Sequence, residues 1–212
     1  MIYWRVENNI GYIKFETSNK NTLGVEDLSR ILTILDNDVP LCRGVIITGS
    51  GYSFCAGLDL SNDLVILMQL LDKVLYSLHN LPIPVVCALN GHAIGAGFLI
   101  MCCSDYIVSV KNDRAKFGLP EVSLGISITQ IMNVVLTNKL HNSIISNLLL
   151  SSKLINFDEF RELGVINKIC ETYEFMQDDI FSFLDRDDVS LRAYKENKQL
   201  LRQHLIIQMT NL

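Results

Sequence analysis

Side chains alternate between two faces over residues 2–16, with Ile2, Trp4 and Val6 before Asn8-Asn9 and, after it, Ile10, Tyr12 and Lys14 set against Ile13 and Phe15. A period of two on both sides of an Asn pair predicts a β-hairpin. After the polar loop from Ser18 to Thr22 the period changes, and Val25, Leu28, Ile31, Leu32 and Leu35 share one helical face. Gly44-Val45-Ile46-Ile47-Thr48 is β-like, and this β-α-β order calls for parallel strands joined by a right-handed crossover. A second amphipathic helix follows, with Leu64, Leu67, Met68, Leu71, Leu75 and Leu78 on its buried stripe. Pro82 and Pro84 end it and lead into the apolar run Pro84 to Leu89.

Farther on, the stretch after Gly97 (Phe98, Leu99, Ile100, Met101, Cys102) is apolar nearly all round and reads as a buried helix, with a strand at Tyr106 to Val110. Helical spacing resumes at Ile128, Ile131, Val134 and Val135 and again from Ile144 to Leu150. A helix through Leu163 and a strand from Val165 to Ile169 come next, and the tail from Glu174 reads as a charged helical pair split near Asp187-Asp188. No repeat or low-complexity linker interrupts the chain. The expectation is one α/β domain over 1–212, with a core over 1–172 and C-terminal helices over 173–212.

Composition narrows the class. With 212 residues, 49% of them hydrophobic, and four prolines, the chain can fill one core. A net charge of −5 without a basic cluster argues against a nucleic-acid surface. The N-terminus lacks the layout of a signal peptide and no window approaches eighteen uninterrupted apolar residues, so a cytoplasmic protein without a membrane partner is expected. The six cysteines form no C-x-x-C pair and mostly sit in apolar runs, which indicates neither a disulfide framework nor a metal site.

Three stretches carry chemistry. Asn90 to Leu99, NGHAIGAGFL, follows a strand and opens a helix, which leaves backbone N–H groups pointing at a ligand. Alone it reads equally as a glycine-rich packing turn. Gly49 to Leu60, GSGYSFCAGLDL, also follows a β-like run and also ends in small residues. Two such turns can converge on one oxygen. The third stretch, FGLPEVSLG, sets Glu121 between Pro120 and apolar Val122 and Leu124. A carboxylate in apolar surroundings has a raised pKa suited to proton transfer, whereas a solvated loop glutamate or helix-start acid is the plainer reading.

The three stretches in this order, over about Tyr3 to Cys170, resemble the crotonase superfamily, the enoyl-CoA hydratase/isomerase family. The resemblance implies a crotonase-like spiral of β-β-α turns with a helical C-terminal region, here shortened, and homotrimers or dimers of trimers in which a neighbour supplies the lid. It implies an oxyanion hole from the amides of Leu58 and Ala96, Glu121 as the acid/base residue, and Ala56, Gly57, Asp59, Leu60, Gly95 and Leu99 framing the substrate. The substrate would be a coenzyme A or phosphopantetheine thioester, with no separate cofactor. Hydratases of the family use two glutamates gripping one water, and Leu99 stands where the first belongs. Isomerases of the superfamily show one glutamate at the Glu121 position and an apolar residue at the Leu99 position, so the pattern resembles 3,2-trans-enoyl-CoA isomerases. Ser61 and Asn62 replace a lysine that commonly holds coenzyme A, Lys20 could still reach a phosphate, and an acyl carrier protein is the alternative carrier. A decarboxylase or carrier-bound dehydratase, and a non-catalytic crotonase-like domain, are the rival readings.

The remaining candidates weigh less. His92, in the central turn, reads first as structural and second as a donor or acid. His79, His141 and His204 are expected on helical or loop surfaces. Asp59 reads as a turn-capping carboxylate, Asp105 as a cap of the strand after the central helix, and Cys55 as a buried, inert thiol near the ligand. Leu64, Leu67 and Met68 read as acyl-pocket wall or as core.

Overall fold

A computed structural model describes residues 1–17, 20–185 and 189–210. Strands β1 (Ile2–Glu7) and β2 (Ile10–Phe15) form the antiparallel hairpin. Asn8 and Asn9 both take positive φ (51° and 60°), the conformation a two-residue hairpin turn requires and Asn tolerates. From there the chain winds in turns that give one strand to each of two sheets. Strands β3 (Gly44–Gly49), β5 (Val85–Leu89) and β7 (Tyr106–Val110) enter a six-stranded sheet of order β1-β2-β3-β5-β7-β9, closed by β9 (Lys168–Cys170). The strand after each of them, β4 (Ser53–Cys55), β6 (His92–Ile94) and β8 (Phe117–Gly118), enters a three-stranded sheet of order β4-β6-β8. Apart from the hairpin, these strands pair with one another in parallel.

The unbroken apolar character of β3 and β5 follows from cover on both faces. Val45, Ile47, Val85 and Cys87 point into the main core, while Ile46, Val86, Ala88 and Val108 meet α7 (Tyr173–Leu184) on the opposite face. The main core also takes α1 (Val25–Asn37), α2 (Leu64–Asn80) and α3 (Ala96–Cys102), the last buried along its whole length. Helices α4 (Gln130–Lys139), α5 (Asn142–Ser151) and α6 (Phe157–Glu162) follow, capped by Thr129, His141 and Asn156. Helix α8 (Leu191–Thr210) ends the described chain. The split expected near Asp187-Asp188 and the side chain of His204 lie outside the described residues.

Four expectations are corrected. Leu64 is exposed at the first turn of α2 rather than on its stripe, and that stripe continues instead through Val74 to His79. His79 is not at the surface: it is fully buried with neither ring nitrogen hydrogen-bonded, and burial with the nearby Arg202 and Lys198 charges drives its pKa down to about 3. The last strand begins at Lys168, not Val165. Asp105 does more than cap a strand: its carboxylate accepts from the Val85 N–H (2.8 Å), from Lys198 and from Arg202 (2.7 Å), tying α8 to the core. Arg202 also donates to the carbonyls of His79 and Cys103, and Lys198 to that of Ile83.

Among the described residues no helix is long and apolar enough to cross a membrane.

Candidate active site

The three sequence stretches meet because β4, β6 and β8 are parallel neighbours, so the segments leaving their C-terminal ends emerge along one edge. Cys55 pairs with Ala93, Ala93 with Phe117 and Ile94 with Gly118. Residues 56–58, 95–96 and 119–121 leave this edge together. Two glycines permit the approach. Gly95 has φ +55°, and a Cβ there would stand 3.2 Å from Glu121 Oε1 and 3.8 Å from Gly57 Cα. At Gly97 a Cβ would lie 2.1 Å from the Cys55 carbonyl oxygen, so α3 rests directly on β4 only because no side chain intervenes.

The two amide turns are fixed from behind. Leu23 N–H donates to the Gly57 carbonyl (3.0 Å) and Asp59 N–H to the Leu23 carbonyl (2.9 Å). Pairing through residues 57 and 59 leaves the N–H of Leu58 on the side of the strand away from Leu23, and Leu58 is one of the residues that line the cavity. Ala96 is the first residue of α3, and its N-cap Gly95 has no side chain to satisfy the orphan N–H groups of that turn. Behind these turns, the Asn21 amide donates to the Ser50 and Ser53 carbonyls, and the Asn90 amide to those of Gly51 and Ser53 while accepting from Gly49 N–H. The sequence singles out neither asparagine side chain for this bracing.

A cavity of about 140 Å³ opens at the edge. Of the nine residues expected at the site, eight line it: Ala56, Gly57, Leu58, Leu60, Gly95, Ala96, Leu99 and Glu121. Asp59 does not. Its carboxylate turns back to accept from the N–H (3.1 Å) and hydroxyl (2.8 Å) of Ser61, which holds its pKa below the ordinary range. Asn62 is likewise engaged, accepting from Val25 N–H and donating to the Asp59 carbonyl. Of the three α2 residues considered for the wall, Met68 lines the cavity, Leu67 is core and Leu64 faces solvent. Leu71, Ile94, Pro120, Leu124, Ile126 and Met132 complete it. A larger groove of about 840 Å³ lies on the other face of the six-stranded sheet beneath α7, and has none of Leu58, Ala96 and Glu121 on its walls.

Among the described residues, Glu121 is the one ionisable side chain on the smaller cavity's wall. Pro120 precedes it, and its carbonyl accepts from the N–H groups of Leu124 (3.0 Å) and Ile126 (2.9 Å), which fixes its backbone. The side chain is 7% exposed and its Oε2 has no hydrogen-bond partner. Burial therefore disfavours the ionised form and lifts the pKa from 4.5 to about 7. Leu99, from the second turn of α3, faces the same space and is buried.

The other candidates are occupied elsewhere. His92 Nδ1 accepts the Lys116 N–H (3.0 Å), so its ring braces β6 against β8 and is not on the cavity wall. Cys55 is buried with its pKa pushed up to about 12, which keeps it a thiol.

A family model described as enoyl-CoA hydratase/isomerase matches residues 5–203. A crotonyl-CoA hydratase of Syntrophomonas wolfei is 33% identical over 171 residues, which cover 74% of this chain and 62% of that protein. A peroxisomal enoyl-CoA delta isomerase 2 of Arabidopsis thaliana is 30% identical over 158 residues, 67% of this chain and 65% of that protein. The chain spans less than two thirds of the length of these curated relatives. Among solved structures, an enoyl-CoA hydratase/isomerase family protein from Pseudomonas syringae superposes with a TM-score of 0.88 at 17% identity, covering 99% of this chain and 94% of that one. An apo enoyl-CoA isomerase of Mtb does so with 0.85 at 22% identity, again covering 99% and 94%. At these identities the structural likeness is one of fold.

Proposed function

The chain belongs to the enoyl-CoA hydratase/isomerase family, and from that premise we propose that it is an isomerase, moving the double bond of a 3-enoyl thioester to the 2 position with Glu121 as the single base. The observation that carries this reading is the pairing on one cavity wall of a lone buried carboxylate, Glu121, with the hydrocarbon side chain of Leu99. Leucine can neither accept a proton nor orient a water. Glu121 takes a proton from the α-carbon, the electrons pass into the thioester carbonyl as a dienolate, and the same carboxyl returns a proton to the γ-carbon.

The amides of Leu58 and Ala96 act as the oxyanion hole in this reading. Each such donor is typically worth about 3 kcal/mol where negative charge develops. The apolar wall formed by Leu71, Leu99 and Met132 keeps water from the dienolate. Incubation of a 3-enoyl-CoA in deuterated water is expected to give the conjugated 2-enoyl product with the abstracted α-proton largely returned to the γ-carbon, since one carboxyl carries it in a cavity that excludes water. A 3-hydroxyacyl product formed from a 2-enoyl-CoA at a comparable rate would instead identify a hydratase. The same assay with an enoyl-loaded acyl carrier protein separates the two carriers.

The pH dependence follows from the base. Only the carboxylate of Glu121 can accept the α-proton, and its pKa is lifted to about 7. On this reading kcat/KM rises about tenfold per pH unit below 7 and levels off above it. A profile flat from about pH 5 to 9 would remove Glu121 from the chemistry.

A further inference from the structure

We infer that the site selects short acyl chains, of about six carbons or fewer, and that Met68 and Met132 set this limit; the inference rests on the thioester reading given above. The cavity that holds Glu121 measures about 140 Å³ and has two ends of different character. Leu60 and Leu124 are 49% and 54% exposed and form its mouth, whereas Leu71, Leu99 and Met132 are each 1% exposed and form its floor. A thioester whose oxygen lies at Leu58 and Ala96 therefore points its tail at the floor. Helices α2 and α4 pack against each other there, and Thr129, the cap of α4, donates to Asp72 of α2 at 2.7 Å. That bond ties the two helices together behind the floor.

The volume sets the scale. An apolar cavity of about 150 Å³ lined by Leu, Ile and Phe accommodates benzene, six carbons. A cavity of 140 Å³ is of that size. Each methylene that a hydrophobic pocket gains or loses changes discrimination by roughly 10- to 200-fold. Methionine side chains are unbranched and adapt their shape, so the floor yields by an atom or so before a longer chain must leave through the mouth. Met132 is the buried part of this stop and Met68 the half-buried part.

The test separates size from chemistry by measuring both. Binding of butanoyl-, hexanoyl- and decanoyl-CoA to the full chain is followed by calorimetry, beside conjugation of 3-hexenoyl- and 3-decenoyl-CoA. Affinity is expected to rise from four to six carbons and to fall at least about tenfold at ten. Met132→Ala and Met68→Ala are each expected to bring the ten- and six-carbon ligands within about threefold of each other. Truncating buried Met132 can weaken folding, and Met68→Ala keeps the test open in that event. Decanoyl-CoA bound as tightly as hexanoyl-CoA by the unaltered chain, a ratio unmoved in both variants, or no binding of any of the three overturns the inference. Hexanoyl-CoA bound selectively without conjugation of 3-hexenoyl-CoA leaves the size limit standing and removes the isomerase reading. Equal conjugation of both enoyl chains does the reverse.

Discussion

Replacing Glu121 by glutamine is expected to lower kcat/KM for conjugation by roughly 10²- to 10⁴-fold, the contribution a positioned acid/base group makes. Glutamine keeps the size and planarity of the side chain and loses the proton acceptor. On the proposed reading, in which apolar walls and main-chain amides hold the substrate, KM should move little. Stability should respond differently. The folded-state pKa of Glu121 is raised from 4.5 to about 7, so the folded chain holds a proton that the unfolded chain gives up over that interval. The group's contribution to stability is therefore fully present below about pH 4.5 and is lost as pH rises through 7. That loss is on the order of 3 kcal/mol. Urea unfolding of both proteins from pH 4.5 to 8 should show the unaltered chain falling relative to Glu121→Gln by about this amount. Parallel stability profiles would mean the carboxyl is solvated. A variant with full conjugating activity would turn attention to another enolate reaction at the same amides.

That a single substitution should cost activity while relieving a pH-dependent strain fits what the sequence could and could not convey about this site. The hairpin and strands β3, β5 and β7 of the large sheet were legible because their apolar runs and the Asn8-Asn9 turn are local signals, whereas β9, three residues with one buried, was placed too early. The glycine turns and Glu121 were legible as motifs. Their convergence was not derivable from pattern, because β4, β6 and β8 are two to three residues long, too short to show a period. It came through the family resemblance. His79 shows a signal misjudged rather than missing: it lies four residues after Leu75 and eight after Leu71, on the very face that buries them. The roles of Lys198 and Arg202 had no local trace. Two cations four residues apart on a polar helix read as a solvated face, and their partner Asp105 lies 93 and 97 residues away.

Substituting Asp105 by alanine is expected to cost about 3–5 kcal/mol of stability, the penalty for stranding buried charge. Lys198 and Arg202 are 7% and 6% exposed and keep their carbonyl partners in the variant, but they lose their only ion-pair partner among the described residues. Their responses differ. Burial already holds the Lys198 pKa down to about 8 against the pull of Asp105, so without the carboxylate the ammonium can shed its proton near neutral pH and limit the penalty. Arg202 cannot, because a guanidinium stays charged. It would remain inside with His79 beside it, a ring whose pKa is already driven down to about 3 and which offers no counter-charge. The expected outcome is detachment of α8, read as loss of amide protection over Leu191–Thr210 and a lower urea midpoint. Replacing all three groups together, Asp105→Leu with Lys198→Met and Arg202→Met, should recover most of the loss, since a buried ion pair and a well-packed apolar substitute are often close in stability. A loss below about 1 kcal/mol in Asp105→Ala would mean that α8 is only loosely docked in solution. Activity should fall with stability in the single variant, because Arg202 also holds the Cys103 carbonyl at the C-terminal end of α3, whose first residue, Ala96, lines the cavity beside Glu121.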